Sequence, residues 1–132
     1  MAQMFGMPRQ ESLQREECFR DEFHTTIITV SKDAATLAAQ VAHASVASFL
    51  AASTADQREW LQCGMPKVVL SALGEQELLR YHQQAIEADL PAYLVRDAGR
   101  TVVASGTLTC IGIGPAMIST IDQITGDLRL VS

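Results

Sequence analysis

Runs of apolar and polar residues divide the chain into alternating elements. His24-Thr25-Thr26-Ile27-Ile28-Thr29-Val30 is dense in β-branched residues and predicts a buried strand. Ser31-Lys32-Asp33 then turns the chain, and Asp33 suits a helix N-cap. Residues 34–52 are rich in alanine, carry Leu37, Val41, Val46, Phe49 and Leu50, and lack Gly and Pro. They predict a helix of about five turns whose small residues allow close packing on a sheet. A short helix is expected over 56–62, with Trp60 covering an edge of the core, and Gly64-Met65-Pro66 stops it.

A strand at 67–72 follows, then a helix at 75–88 with Leu78, Leu79, Ala85 and Ile86 as its inner stripe. Residues 91–95 predict a third strand and 107–113 a fourth. In the fourth, alternation puts Thr107, Thr109, Ile111 and Ile113 on one face and Leu108, Cys110 and Gly112 on the other. Gly114-Pro115 is expected to end that strand and start a helix over about 116–123. Leu128 to Val131 reads as a short edge strand or coil. Strands alternating with helices predict a layered α/β domain with a largely parallel sheet. Residues 1–22 show no such period and are expected to be an N-terminal extension, flexible or partner-contacting, with a short exposed helix from about Ser12; residues 23–132 are expected to form the domain.

Composition narrows the function classes. The 132 residues favour one domain, and 48% hydrophobic residues are enough for a core without staples. The net charge of −5 argues mildly against a general nucleic-acid binder, although a local cluster of Lys32, Lys67, Arg96, Arg100 and Arg129 would be compatible with it. Cys18, Cys63 and Cys110 form no C-x-x-C pair, so reduced thiols and a cytoplasmic location are expected. No apolar run suggests a membrane span, and the acidic residues within 1–22 argue against a signal or transit peptide. Gly112-Ile113-Gly114 is not a dinucleotide loop, because Met117 stands where the third glycine would be needed. Ser105 is not in a nucleophile elbow, and too few histidines lie near carboxylates to predict a metal site.

The candidate chemistry lies in two places. Thr36, Gln40 and His43 share one face of the long helix. Read from spacing alone, His43 is a buried helix histidine with a hydrogen-bond partner or a group facing a site. Asp97 closes the third strand, where an Asp either caps its own turn or serves a ligand or catalytic site. Thr109 is an ordinary strand residue or a site hydroxyl, and Arg100 can pair with Asp97 or bind phosphate. Lys67 is a solvated strand-end charge or a phosphate contact.

Asp97-Ala98-Gly99-Arg100-Thr101, the run from Gly106 to Pro115, and Ile121-Asp122-Gln123-Ile124-Thr125-Gly126 resemble the type 2 peptidyl-tRNA hydrolase family. Residues 38–44 and 64–70 agree, in the same order. The resemblance implies a three-layer α/β/α domain around a four-stranded mixed sheet. It implies hydrolysis of peptidyl-tRNA, a homodimer, and no metal or organic cofactor. It assigns Gln40, Asp97 and Thr109 to catalysis, with Asp97 acting on the water, and His43 to the site wall or a supporting role. Arg100 and Lys67 become candidates for the substrate's phosphates. One position departs. The family carries a lysine at the helix start where this chain has Thr36, and the preceding loop is shorter. Lys32, one turn earlier, is the nearest replacement. The departure motivates an alternative: a non-catalytic module on the same fold that binds tRNA or a protein.

Overall fold

The computed structural model describes residues 23–96 and 106–131. The extension over 1–22 and the segment holding Asp97 and Arg100 lie outside the described residues. The elements run β1 (Phe23–Thr29), α1 (Ala34–Ala51), α2 (Thr54–Gln62), β2 (Lys67–Ser71), α3 (Glu75–Glu87), β3 (Ala92–Arg96), β4 (Leu108–Met117) and α4 (Ile118–Thr125).

The sheet order is β2-β1-β4-β3. β1 pairs parallel with β2, and β4 runs antiparallel to both β1 and β3. The sheet is therefore mixed, not largely parallel. The difference arises because β4 inserts between β1 and β3 and runs against both of them. Val131 N donates to Val69 O at 3.0 Å, and Leu130 bridges Leu70, so the C-terminal residues cover the outer edge of β2.

Helices cover both faces, giving the three layers. On one face Ile27, Val95 and Cys110 pack with Ala44 of α1. On the other, Ile28, Leu108, Ile111 and Ile113 pack with Leu78, Tyr81 and Ala85 of α3 and Ile121 of α4. α3 buries Leu78, Tyr81 and Ala85, while Leu79 and Ile86 are 42% and 49% exposed. The expected stripe was thus one position off for two of its members: Leu79 and Ile86 sit about 100° around the helix from Leu78 and Ala85. By length and mean hydropathy (1.3 over 18 residues) α1 would pass as a membrane span, contrary to the reading of run lengths. Its buried residues, Gln40, Ala44, Ser45 and Ser48, are small or polar, as a helix lying on a sheet needs. Trp60 is 4% exposed, sits 5.6 Å from the Phe49 ring and donates Nε1–H to Pro66 O at 2.8 Å, which ties α2 to α1 and to the start of β2.

Two bulges shape β4. Gly114 and Pro115 together oppose the single residue Thr25, with Gly114 at φ 108° and its N–H donating to Pro91 O at 2.8 Å. The strand therefore passes through Gly114-Pro115 to Met117 instead of ending there. At the other end, Val95 pairs with Cys110 and Arg96 with Leu108, leaving Thr109 as an extra residue. Leu108 consequently lies beneath α3 with Ile111, and Cys110 faces α1; simple alternation had put Leu108 and Cys110 on one side.

Candidate active site

The carboxyl ends of β1 and β3, the first residues of β4 and the first turns of α1 meet at one end of the sheet. β1 leads there because its pairing ends at Thr29 opposite Cys110. Thr109 O accepts from Val30 N–H at 3.1 Å and from the Thr29 hydroxyl at 3.4 Å. Ser31 N–H then donates to Thr29 Oγ1 at 3.0 Å and turns the chain toward α1. Asp33 caps the helix by accepting from Thr36 N–H at 3.0 Å, and that bond holds its carboxyl below the usual carboxylate range.

The cap fixes the start of α1, and the helical period then carries Gln40 over β4. The Cys110 thiol donates to Gln40 O at 3.5 Å. Burial pushes that thiol up to about 12, so it stays protonated at neutral pH. Gln40 is 8% exposed, and its Oε1 is buried without a hydrogen-bond partner among the described residues. A buried amide oxygen left unpaired would cost about 1–3 kcal/mol, so this position calls for a partner beyond the described residues, whether chain, ligand or water. Thr109, 6% exposed, follows from the bulge: its hydroxyl donates to Val95 O at 3.3 Å, one residue before Arg96 and two before Asp97. Thr109 and Gln40 are thus joined through Cys110, and both lie where β3 hands over to Asp97.

Thr36 is half-buried in the first turn of α1, on the face that leads to Gln40. His43 is exposed rather than buried, and its ring lies 6.3 Å from that of Tyr93 on β3. Lys32 is exposed in the turn before α1 and lines a cleft of ≈ 310 Å³ with Arg129, Glu77 and Asp127. The acids there offset the cations. Arg96 is at the same end, within 3.9 Å of Glu75 and donating to Gly106 O at 3.0 Å. Lys67 stands apart from all of these. It opens β2 opposite Thr25, at the other end of the sheet, where its Nζ donates to Met65 O at 2.8 Å and lies 5.5 Å from the Trp60 ring. Among the described residues no three His, Cys, Asp or Glu side chains gather as a metal site. Sequence reasoning passed over Tyr93 and Cys110 as site neighbours. For Tyr93 the available signal was its place two residues before Val95, on the α1 face of β3.

The fold and this cluster define an α/β protein whose polar groups converge beyond the carboxyl ends of its strands, the usual place for a ligand in an open α/β sheet. The sequence model of the family described as Peptidyl-tRNA hydrolase PTH2 matches residues 27–131, and the chain belongs to that family. It is 53% identical over 97 residues to the peptidyl-tRNA hydrolase of Methanopyrus kandleri, covering 72% of this chain and 84% of the relative. It is 44% identical over 102 residues to that of Sulfurisphaera tokodaii, and 45% identical over 95 residues to that of Methanothermobacter thermautotrophicus. These alignments also cover 72% of this chain, and 84% and 85% of the relatives.

Proposed function

We propose that this protein is an enzyme that hydrolyses the ester joining a peptide to the 3′ ribose of tRNA, releasing the peptide and recycling the tRNA. Membership of the family carries the reading. The buried amide oxygen of Gln40 supports it, because a buried hydrogen-bonding group without a partner among the described residues is suited to substrate or attacking water. In the reaction, water adds to the ester carbonyl, the bond to the ribose oxygen breaks, and the ribose oxygen takes a proton. Asp97 orients and deprotonates the water. Gln40 and Thr109 position the reacting groups, and a donor from the amide serves the developing oxyanion. Arg100 and Lys32 meet substrate phosphates, with Thr36 and His43 lining the approach; Lys67 has no part in this arrangement.

The same reading places the protein in the cytoplasm, where its substrate arises, and as a homodimer. Val46, Leu50, Leu61 and Met65, which are 59%, 69%, 50% and 45% exposed around one apolar hollow, suit burial against a second copy. The decisive experiment compares the parent with Asp97→Asn on N-acetylaminoacyl-tRNA. Cleavage by the parent and a loss of about 10²–10⁴-fold in the variant, with unchanged melting, is expected. A parent without turnover sinks the proposal, and a variant as fast as the parent removes Asp97 from it.

A further inference from the structure

We propose that His43 and Tyr93 form a stacking platform for the base of the 3′-terminal nucleotide of the tRNA. The inference rests on the functional reading above and adds a specificity element to it. Tyr93 is 44% exposed although it lies on a strand, and His43 is exposed on α1. Their ring centroids are 6.3 Å apart with planes tilted by 35°, an offset contact in which neither ring is sealed by the other. The core does not account for them, since α1 is anchored through Ala44, Cys110 and Val95.

Their position relative to the reacting groups selects the occupant. Tyr93 pairs with Gly112 and Val95 with Cys110, so Tyr93 lies two strand residues, or roughly 6.6 Å, from the level of Cys110. His43 follows Gln40 by three residues, a rise of roughly 4.5 Å along α1. The platform is therefore about one nucleotide from the Gln40–Thr109 cluster. In the substrate, the ester and the terminal base hang from the same ribose. When the ester carbonyl sits at Gln40 and Thr109, the base must come to rest within that distance. The 3′ end of tRNA is unpaired, so its base presents an open π-face, and tyrosine and histidine rings are common partners for such bases.

The test uses the full chain and two deacylated tRNA probes: one ending in intact adenosine, the other in an abasic ribose at that position. The parent is expected to bind the intact probe about 10-fold more tightly. Tyr93→Leu should abolish that preference, Tyr93→Phe should keep it, and His43→Leu should reduce it. Equal binding of the two probes by the parent, or a preference retained in Tyr93→Leu, overturns the platform. The parent comparison needs no variant, so a misfolded variant leaves the test intact. Turnover without base preference removes the platform and leaves the hydrolase reading standing. Base preference without turnover does the reverse.

Discussion

The thiol of Cys110 donates to the backbone oxygen of Gln40 at 3.5 Å and couples the middle of α1 to the bulged start of β4. Both ends of this contact adjoin proposed site residues: Gln40 itself, and Thr109 next to Cys110 in the chain.

The contact has a pH signature. The Cys110 thiol is raised by burial from an ordinary 9.0 to about 12, so the folded chain holds this proton where the unfolded chain gives it up. Its contribution to stability is fully present below pH 9 and is lost as pH rises toward 12. Cys110→Ala should therefore flatten the alkaline limb of the stability curve relative to the parent. Urea melts of both proteins between pH 8 and 11 check this; parallel curves would show that the thiol does not titrate on unfolding.

Gly112 marks how closely α1 approaches β4. A Cβ at this position would lie 2.6 Å from Ala44 O and 2.9 Å from Ser48 Oγ. The serine can turn away, but the carbonyl belongs to the helix backbone and can move only with α1. Gly112→Ala should cost about 1–3 kcal/mol, read as a melting temperature lowered by several degrees, and should weaken hydrolysis by lifting Gln40. A variant that melts with the parent would show that α1 rides loosely on the sheet.

Much of this fold is legible in the sequence because β1, α1 and β2 obey simple rules: a β-branched run, an alanine-rich helix after an Asp cap, and a short apolar strand after Gly-x-Pro. The rest depends on partners that are distant in sequence. Gly114-Pro115 looks like a stop, yet Thr25 across the ladder accommodates both residues as a bulge. Alternation fails at Thr109 for the same reason. Tyr81 is chosen over Leu79 and Ile86 by the surface beneath α3, which the helical period alone does not define. Gln40 and Thr109 were legible as a pair only through resemblance, since neither residue type is unusual in a helix or a strand. Lys67 was grouped with the other cations because charge can be read along the chain; the end of the sheet it occupies cannot. Asp97 and Arg100 lie outside the described residues.

Gln40 separates a structural amide from a working one. Gln40→Ala removes a buried side chain whose Oε1 has no partner among the described residues, so the stability loss should be small. The rate loss should be about 10²-fold or more, as for removal of a hydrogen-bonding group at a developing charge. Single-turnover cleavage of N-acetylaminoacyl-tRNA, beside a thermal melt, separates the two effects. A large drop in melting temperature with an unchanged rate would make Gln40 a packing residue.

Thr36 stands where the family resemblance read from the sequence leads one to expect a lysine. It lies in the first turn of α1 beside the Asp33 cap, one helical turn before Gln40. A lysine there would carry a long cationic side chain toward the same end of the sheet as Gln40 and Thr109. The helix N-terminus disfavours a cation by about 0.3–1 kcal/mol, so Thr36→Lys should lower stability slightly. In exchange it should tighten tRNA binding or raise turnover. Its binding should also fall more steeply with salt, with a slope greater by roughly 0.7–0.9 if one phosphate is newly met. Lys32, in the turn just before the cap, is the cation available to the parent. Lys32→Ala should therefore weaken the parent more than the Thr36→Lys protein, since the two side chains would share one role. Binding titrations of deacylated tRNA at several salt concentrations, run on the four proteins of this cycle, measure the coupling directly. If Thr36→Lys alters neither rate nor salt slope, the first turn of α1 does not face the substrate, and the phosphates must be met from the other side of the site.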